Sequence, residues 1–80
     1  MALTKFTVVD KIEILERGQV QVRTATVVDE DGVELSRSYH RHVLAPGDDI
    51  SSEDSRVAAV ADAAWTSDVV SAWDAFTAAS

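Results

Sequence analysis

Glu13-Ile14-Leu15-Glu16-Arg17-Gly18-Gln19-Val20-Gln21-Val22 is the stretch that decides the fold. Apolar and polar residues alternate on both sides of Glu16-Arg17-Gly18. That triplet suits a three-residue hairpin loop, a type I turn closed by a left-handed Gly. The resulting register pairs Ile14 with Val20, Ile12 with Val22, Val8 with Thr26 and Phe6 with Val28. Apolar side chains then share one face, as cross-strand packing requires. A two-residue loop at Arg17-Gly18 pairs Ile14 with Gln21 and mixes the faces. A one-residue slip flips every side chain, so the longer loop is preferred.

Outward from this hairpin the pattern extends to a three-stranded antiparallel meander. The strands are expected at about Thr4 to Leu15, Gln19 to Asp29 and Val33 to Leu44. Asp10-Lys11, near the middle of the long first strand, is a candidate bulge or bend. Asp31-Gly32 is a strong signal for the second turn. A two-residue loop there pairs Val28 with Leu35, Thr24 with Tyr39 and Val20 with Val43. A four-residue loop keeps the faces with shifted partners, and the choice stays open. One face is expected to carry Phe6, Val8, Ile12, Ile14, Val20, Val22, Val28, Leu35, Tyr39 and Val43, with Arg37 and Arg41 reaching outward past their stems. The other holds Val9, Lys11, Glu13, Arg23, Ala25, Val27, Ser36, Ser38, His40, His42 and Leu44.

Composition changes at Pro46, from Val, Ile and Thr to Ala, Asp and Ser. Ala45-Pro46-Gly47-Asp48-Asp49 is a turn by its chemistry, and the hinge is placed at 45–51. Ser51 or Ser52 is expected to cap a helix, with Glu53 and Asp54 in its first turn. Val57, Val60, Ala61, Ala64 and Trp65 form one apolar stripe. Thr66 can cap a second helix with Asp68 in its first turn. There Val69, Trp73 and Phe76 align, beside Val70 and Ala72. The fold class is therefore α+β: one domain over 1–80, a meander at about 4–44 and helices at about 52–65 and 67–78.

Eighty residues make a small core, and a chain of this size buries only about 60% of its unfolded surface. There is no Cys to staple it. The formal net charge is −7, which argues against a phosphate-tracking surface and against an anionic membrane. No apolar run approaches the roughly 20 residues of a membrane span, and Met-Ala-Leu-Thr-Lys-Phe lacks the start of a signal peptide. A product of its host cell's cytoplasm is expected.

His40 and His42 point the same way on one strand and, with Glu13, are the best metal spacing present. Zinc usually takes three or four protein ligands, so exposed or interface histidines are the favoured reading. Asp29-Glu30-Asp31 and the Asp48, Asp49, Glu53, Asp54 group are oxygen-rich, as calcium requires. They lack EF-hand spacing and read as a solvated hairpin tip and a capping cluster. No Ser lies in a Gly-flanked elbow, and three Gly cannot build a phosphate loop. No cofactor and no enzyme activity are expected. Trp65, Trp73 and Phe76 are either core or a docking surface, since aromatics are enriched at interfaces. Tyr39, His40 and His42 complete the interface candidates. Short Ala-rich helices leave a surplus of apolar side chains, which points to a partner chain.

Val22-Arg23-Thr24-Ala25-Thr26, Asp31-Gly32, Ser38-Tyr39-His40-Arg41, Pro46-Gly47-Asp48-Asp49, Ala64-Trp65-Thr66 and Val69-Val70 form a distinctive string from about Thr4 to Trp73. It resembles a family of small phage and prophage proteins, often encoded beside tail-fibre and other structural genes. Many relatives have Pro-Glu where Ser67-Asp68 stands here, a change that keeps the capping logic but loses the Pro. The resemblance implies a virion or assembly setting. Together with the missing catalytic constellation and the apolar surplus it favours a component of the tail, tail fibre or baseplate, as a homotrimer that buries the spare apolar face. A tail-fibre assembly chaperone and an acidic binder of a host protein are the alternatives.

Overall fold

The computed structural model describes residues 2–79. Three antiparallel strands, β1 (Leu3–Ile14), β2 (Val20–Glu30) and β3 (Val33–Leu44), form one sheet in the order β1-β2-β3. Two helices follow, α1 (Ser55–Ala64) and α2 (Ser67–Ala79). The architecture is α+β, as the sequence predicts.

Both hairpin turns form as their residues dictate. The Leu15 amide donates to Gln19 O at 2.8 Å, and the Gly18 amide donates to Leu15 O at 2.9 Å, closing the loop over 16–18. Gly18 takes φ +93°, the left-handed position of that loop. At the second turn Asp31 and Gly32 take φ +49° and +86°, the two positive values of a type I′ turn.

Register is where expectation fails. Ile14 pairs with Val20 and Ile12 with Val22, as expected. Asp10 is then bulged out, so Val8 meets Ala25 and Phe6 meets Val27 rather than Thr26 and Val28. A second bulge falls at Leu35, between the pairs Asp29–Glu34 and Val28–Ser36. Beyond it Val20 faces Leu44, Val22 faces His42 and Ala25 faces Tyr39. Each bulge inserts one residue and exchanges the faces of the strand beyond it. The apolar residues therefore do not share one face. Ile12, Ile14, Val20, Val22, His42 and Leu44 lie on what we term the front. Phe6, Val8, Ala25, Val27, Tyr39 and Val43 lie on the back.

The helices cover only the front. Val57 and Ala61 of α1 are buried with Val20, Val22 and Leu44, and Val9, Ile12, Ile50 and Trp65 pack against them. The Val57, Val60, Ala61, Ala64, Trp65 stripe is thus the inner face of α1. α1 starts later than expected. Asp49 Oδ1 accepts from the Ser51 amide and Ile50 O accepts from the Glu53 amide, so this segment turns before it can coil. Asp54, not Ser51 or Ser52, is the cap, its Oδ1 accepting from the Arg56 amide at 2.9 Å. Glu53 lies ahead of the helix. Thr66 caps α2 as expected, its hydroxyl accepting from the Val69 amide at 3.3 Å. The Pro46-Gly47 turn also forms, with the Asp48 amide donating to Ala45 O and the Asp48 carboxylate accepting from the Ala45 amide.

The sheet runs well past the helices, giving extents of 56 × 22 × 17 Å. Its radius of gyration is 16.2 Å; a compact chain of this length has about 12 Å.

The two turn glycines separate backbone strain from packing. A Cβ at Gly18 would lie 2.6 Å from Val69 Cγ1, whereas one at Gly32 meets nothing within 4 Å. Gly32→Ala should cost about 1–2 kcal/mol, the left-handed penalty alone. Gly18→Ala should cost distinctly more, because α2 must also shift. Urea unfolding of the two variants checks this; equal losses would mean that α2 does not pack on the turn.

Candidate functional site

Three groups of side chains stand out. The first is where the Glu16-Arg17-Gly18 loop meets the helices. Trp65, the last residue of the α1 stripe, donates its Nε1 hydrogen to Gly18 O at 2.6 Å. An indole N–H turned in from solvent needs such an acceptor, and the close approach is available because Gly18 has no side chain. Trp65 is thus half-buried against the core. Trp73 and Phe76, one helical turn apart on α2, tilt against each other with ring centroids 5.7 Å apart. The Arg17 guanidinium sits 3.7 Å above the Phe76 ring, a cation–π contact. Between loop and helices lies an open cleft of about 430 Å³, lined among others by Ile14, Leu15, Arg17, Ala64, Val69 and Trp73. No residue of α2 is fully buried, so this helix rests on the molecule by one partly covered stripe.

The second group is His40 and His42 on the front, with ring centroids 6.3 Å apart. His42 Nε2 and Glu53 Oε1 are 2.9 Å apart, joining β3 to the segment before α1. Glu13, expected beside the histidines, is on the back. It pairs with Gln21, which pairs with Val43, and its carboxylate lies 3.6 Å from Lys11 Nζ. The β3 bulge causes this exchange: it moves His40 and His42 to the front and leaves Glu13 behind the sheet. Among the described residues no three His, Asp or Glu side chains gather as a metal site. The hairpin-tip carboxylates are spread likewise, with Asp31 Oδ1 accepting from the Ala2 amide at 3.2 Å.

The third group, on the back, was not foreseen. Asp10, turned out by its bulge, accepts from Arg23 Nε and Nη2, both at 2.9 Å. This is the bidentate geometry in which Arg–carboxylate pairs are strongest. Arg37 Nη1 lies 3.7 Å from the same carboxylate, and Arg37 also forks onto Glu34. The Arg23 guanidinium lies 4.4 Å from the Tyr39 ring centroid. Lys11, Arg23 and Arg41 stand opposite one another across the three strands, an arrangement of like charges that costs stability unless compensated. Asp10 and Glu13 compensate Arg23 and Lys11. Arg41 has no ion pair among the described residues. The sequence signal was Asp10 itself, a poor strand former in the middle of a strand.

No protein-family model, no curated protein and no solved structure matches this chain.

The bond to Arg23 holds the Asp10 carboxyl below the usual carboxylate range. A carboxyl with a lowered folded-state pKa adds stability above its unfolded pKa, about 3.9, and loses it as pH falls through the folded value. Glu34, lowered by Arg37, acts in the same direction. Asp10→Asn should therefore be less stable than the parent at neutral pH, with the difference shrinking in strong acid. Urea midpoints across that range test the assignment; a difference independent of pH would refute it.

Proposed function

We propose that this chain is a non-enzymatic structural subunit that works by joining other chains, set in the tail, tail fibre or baseplate of a bacteriophage. The observation that carries the association part is the uncovered apolar surface. Leu3, Phe6, Val33, Leu35, Tyr39 and Val43 are all exposed, at 42–66%. Leu3, Phe6, Val33 and Leu35 lie towards the hairpin tip, and Tyr39 and Val43 lie on the back, the side opposite the helices. Exposed apolar residues in this number on so small a chain mark an interaction surface. The buried apolar core, by contrast, holds only Val20, Val22, Ala25, Val27, Leu44, Val57 and Ala61 among the described residues.

The manner of association follows from the strand edges. β1 and β3 each present one unpaired edge. Each edge also carries a bulge and cationic side chains: Asp10 with Lys5 and Lys11 on β1, Leu35 with Arg37 and Arg41 on β3. Such features discourage strand addition. The faces are less guarded, so face-to-face packing is the favoured mode. Tyr39 is the aromatic centre of the back, and Phe76 is exposed at the end of α2.

The cleft beside Trp73 fits this reading better than catalysis. Of its lining residues only Glu16 and Arg17 ionise, and Arg17 is engaged with Phe76. The phage setting is supported by the resemblance of the sequence string. A homotrimer suits that setting, since cyclic closure buries a spare face on every copy.

Mass spectrometry of purified virions tests the proposal in the phage that encodes the chain. The protein should be present in mature particles in a fixed ratio to fibre or baseplate proteins. Recovery with unassembled fibre, but absence from particles, would replace a structural subunit with an assembly chaperone.

A further inference from the structure

From the Asp54 cap to Ala79 the chain contains no Gly and no Pro, and nine of residues 55–79 are Ala, the strongest helix former. α1 and α2 are nevertheless two helices, parted only at Trp65 and Thr66. At Trp65 φ is −95°, at the margin of the helical region, while ψ is 71°, far outside it. No residue at this corner forbids a helix through it. At four-residue spacing Val57, Ala61, Trp65, Val69 and Trp73 succeed one another, so one apolar ridge would cross the corner unbroken.

The bend is therefore held mainly from outside the corner. Locally, Thr66 Oγ1 accepts from the Val69 amide, but the Thr66, Ser67 and Asp68 amides have no protein acceptor among the described residues. A continuous helix gives all four amides a carbonyl, on Asp62, Ala63, Ala64 and Trp65. Against this stand the contacts that α2 makes with the rest of the molecule. Val69 lies against Gly18, Val70 beside Gly47, and Phe76 under Arg17. Only Val69, Val70 and Trp73 of α2 are even half-buried, and its other ten residues are exposed. Few contacts thus oppose the backbone bonds that straightening would add.

From this balance we propose that the Trp65-Thr66 corner is a two-state hinge, whose second state is one straight helix over 55–79 with α2 lifted off the Glu16-Arg17-Gly18 loop. Such a helix is about 37 Å long. Trp65 stays in place, bonded to Gly18 O, because its side chain precedes the ψ bond that turns. Lifting α2 uncovers Ile14 and Leu15 in the cleft, releases Arg17 from Phe76 and carries Trp73 and Phe76 into solvent. α2 is then a strap over the loop end of the sheet, and the closed form is the one described above.

One substitution separates the two states. Ser67 is the first residue of α2, a position where Pro is well tolerated because the missing N–H has no helical partner. In the straight helix the same Pro removes a bond and clashes with the Ala63 carbonyl. Ser67→Pro should keep the bend and abolish the second state. Thr66→Ala acts oppositely, removing the cap of α2 and placing the best helix former at the corner. It should raise the straight population about fivefold. The test is saturation-transfer NMR of the full chain, read on the Cα shifts of Thr66 and Asp68. The parent should show a minor state of about one to ten per cent with helical shifts at both residues. Exchange too fast to separate gives one averaged shift, which moves towards helical in Thr66→Ala and away from it in Ser67→Pro. Far-UV circular dichroism reports that the variants fold, and the parent with Thr66→Ala decides the matter even where Ser67→Pro does not. A parent without a second state overturns the proposal. So does a minor state with coil shifts at Thr66 and Asp68, which means that α2 unravels rather than straightens. A second state that survives Ser67→Pro, or that Thr66→Ala does not enlarge, overturns it as well.

Discussion

The clamp between Asp10 and Arg23 is the interaction on which the rest of the molecule depends. A carboxylate in the middle of a strand is poorly placed, and the strand accommodates it by bulging. Arg23 then holds both carboxylate oxygens from the back of the sheet. From the front, Arg56 of α1 donates to Val9 O at 2.8 Å, next to the bulge. One irregularity is thus fastened from both sides of the sheet, and one fastening ties α1 to β1. Its larger effect is on direction. Ile12 and Ile14 stay with the helical side, while Val8 and Phe6 turn to the other. A regular β1 would have put all four on one face under the helices. The bulge shares the apolar residues between the side under the helices and the side away from them.

The legible parts of the fold were local ones. The Glu16-Arg17-Gly18 loop, the Asp31-Gly32 turn, the Pro46-Gly47 turn, the Thr66 cap and the α1 stripe all follow from residues within a few positions of one another. What misled was register beyond Asp10 and Leu35. Asp10 drew notice as a bulge, but its effect on pairing needs Arg23, thirteen positions away, and the Leu35 bulge has no comparable residue signal. Once those slips are missed, the errors propagate: Glu13 is assigned to the histidines' face and Val43 to that of Val20. The start of α1 failed for a different reason. Ser51 and Ser52 are good caps, but Asp49 had already claimed the Ser51 amide. At the candidate site, Trp65, Trp73 and Phe76 were legible as residues, while their tethers were not. The Trp65–Gly18 bond spans 47 positions and the Arg17 contact joins a β-turn to the far end of α2.

The two helices differ in how they are held. α1 brings two fully buried side chains, a capped start and the Arg56 tie to β1. α2 brings no fully buried side chain and is held by Val69 against the Gly18 loop and Val70 beside Gly47. Stability in such a molecule is graded along its length: firm where α1 crosses the front, weaker towards both the arm and α2. Local opening concentrates where few apolar contacts are made.

The hairpin tip at Gly32 carries a consequence of another kind. Nothing lies within 4 Å of a side chain built there, and the helices end far short of it. Its length is therefore free of the core. Two residues added to each of β2 and β3 would preserve the alternation of faces and lengthen the arm by about 7 Å. A single added residue would turn every side chain beyond it. The arm behaves as a ruler with a two-residue graduation, whose reach selection can alter in even steps without repacking the helical end.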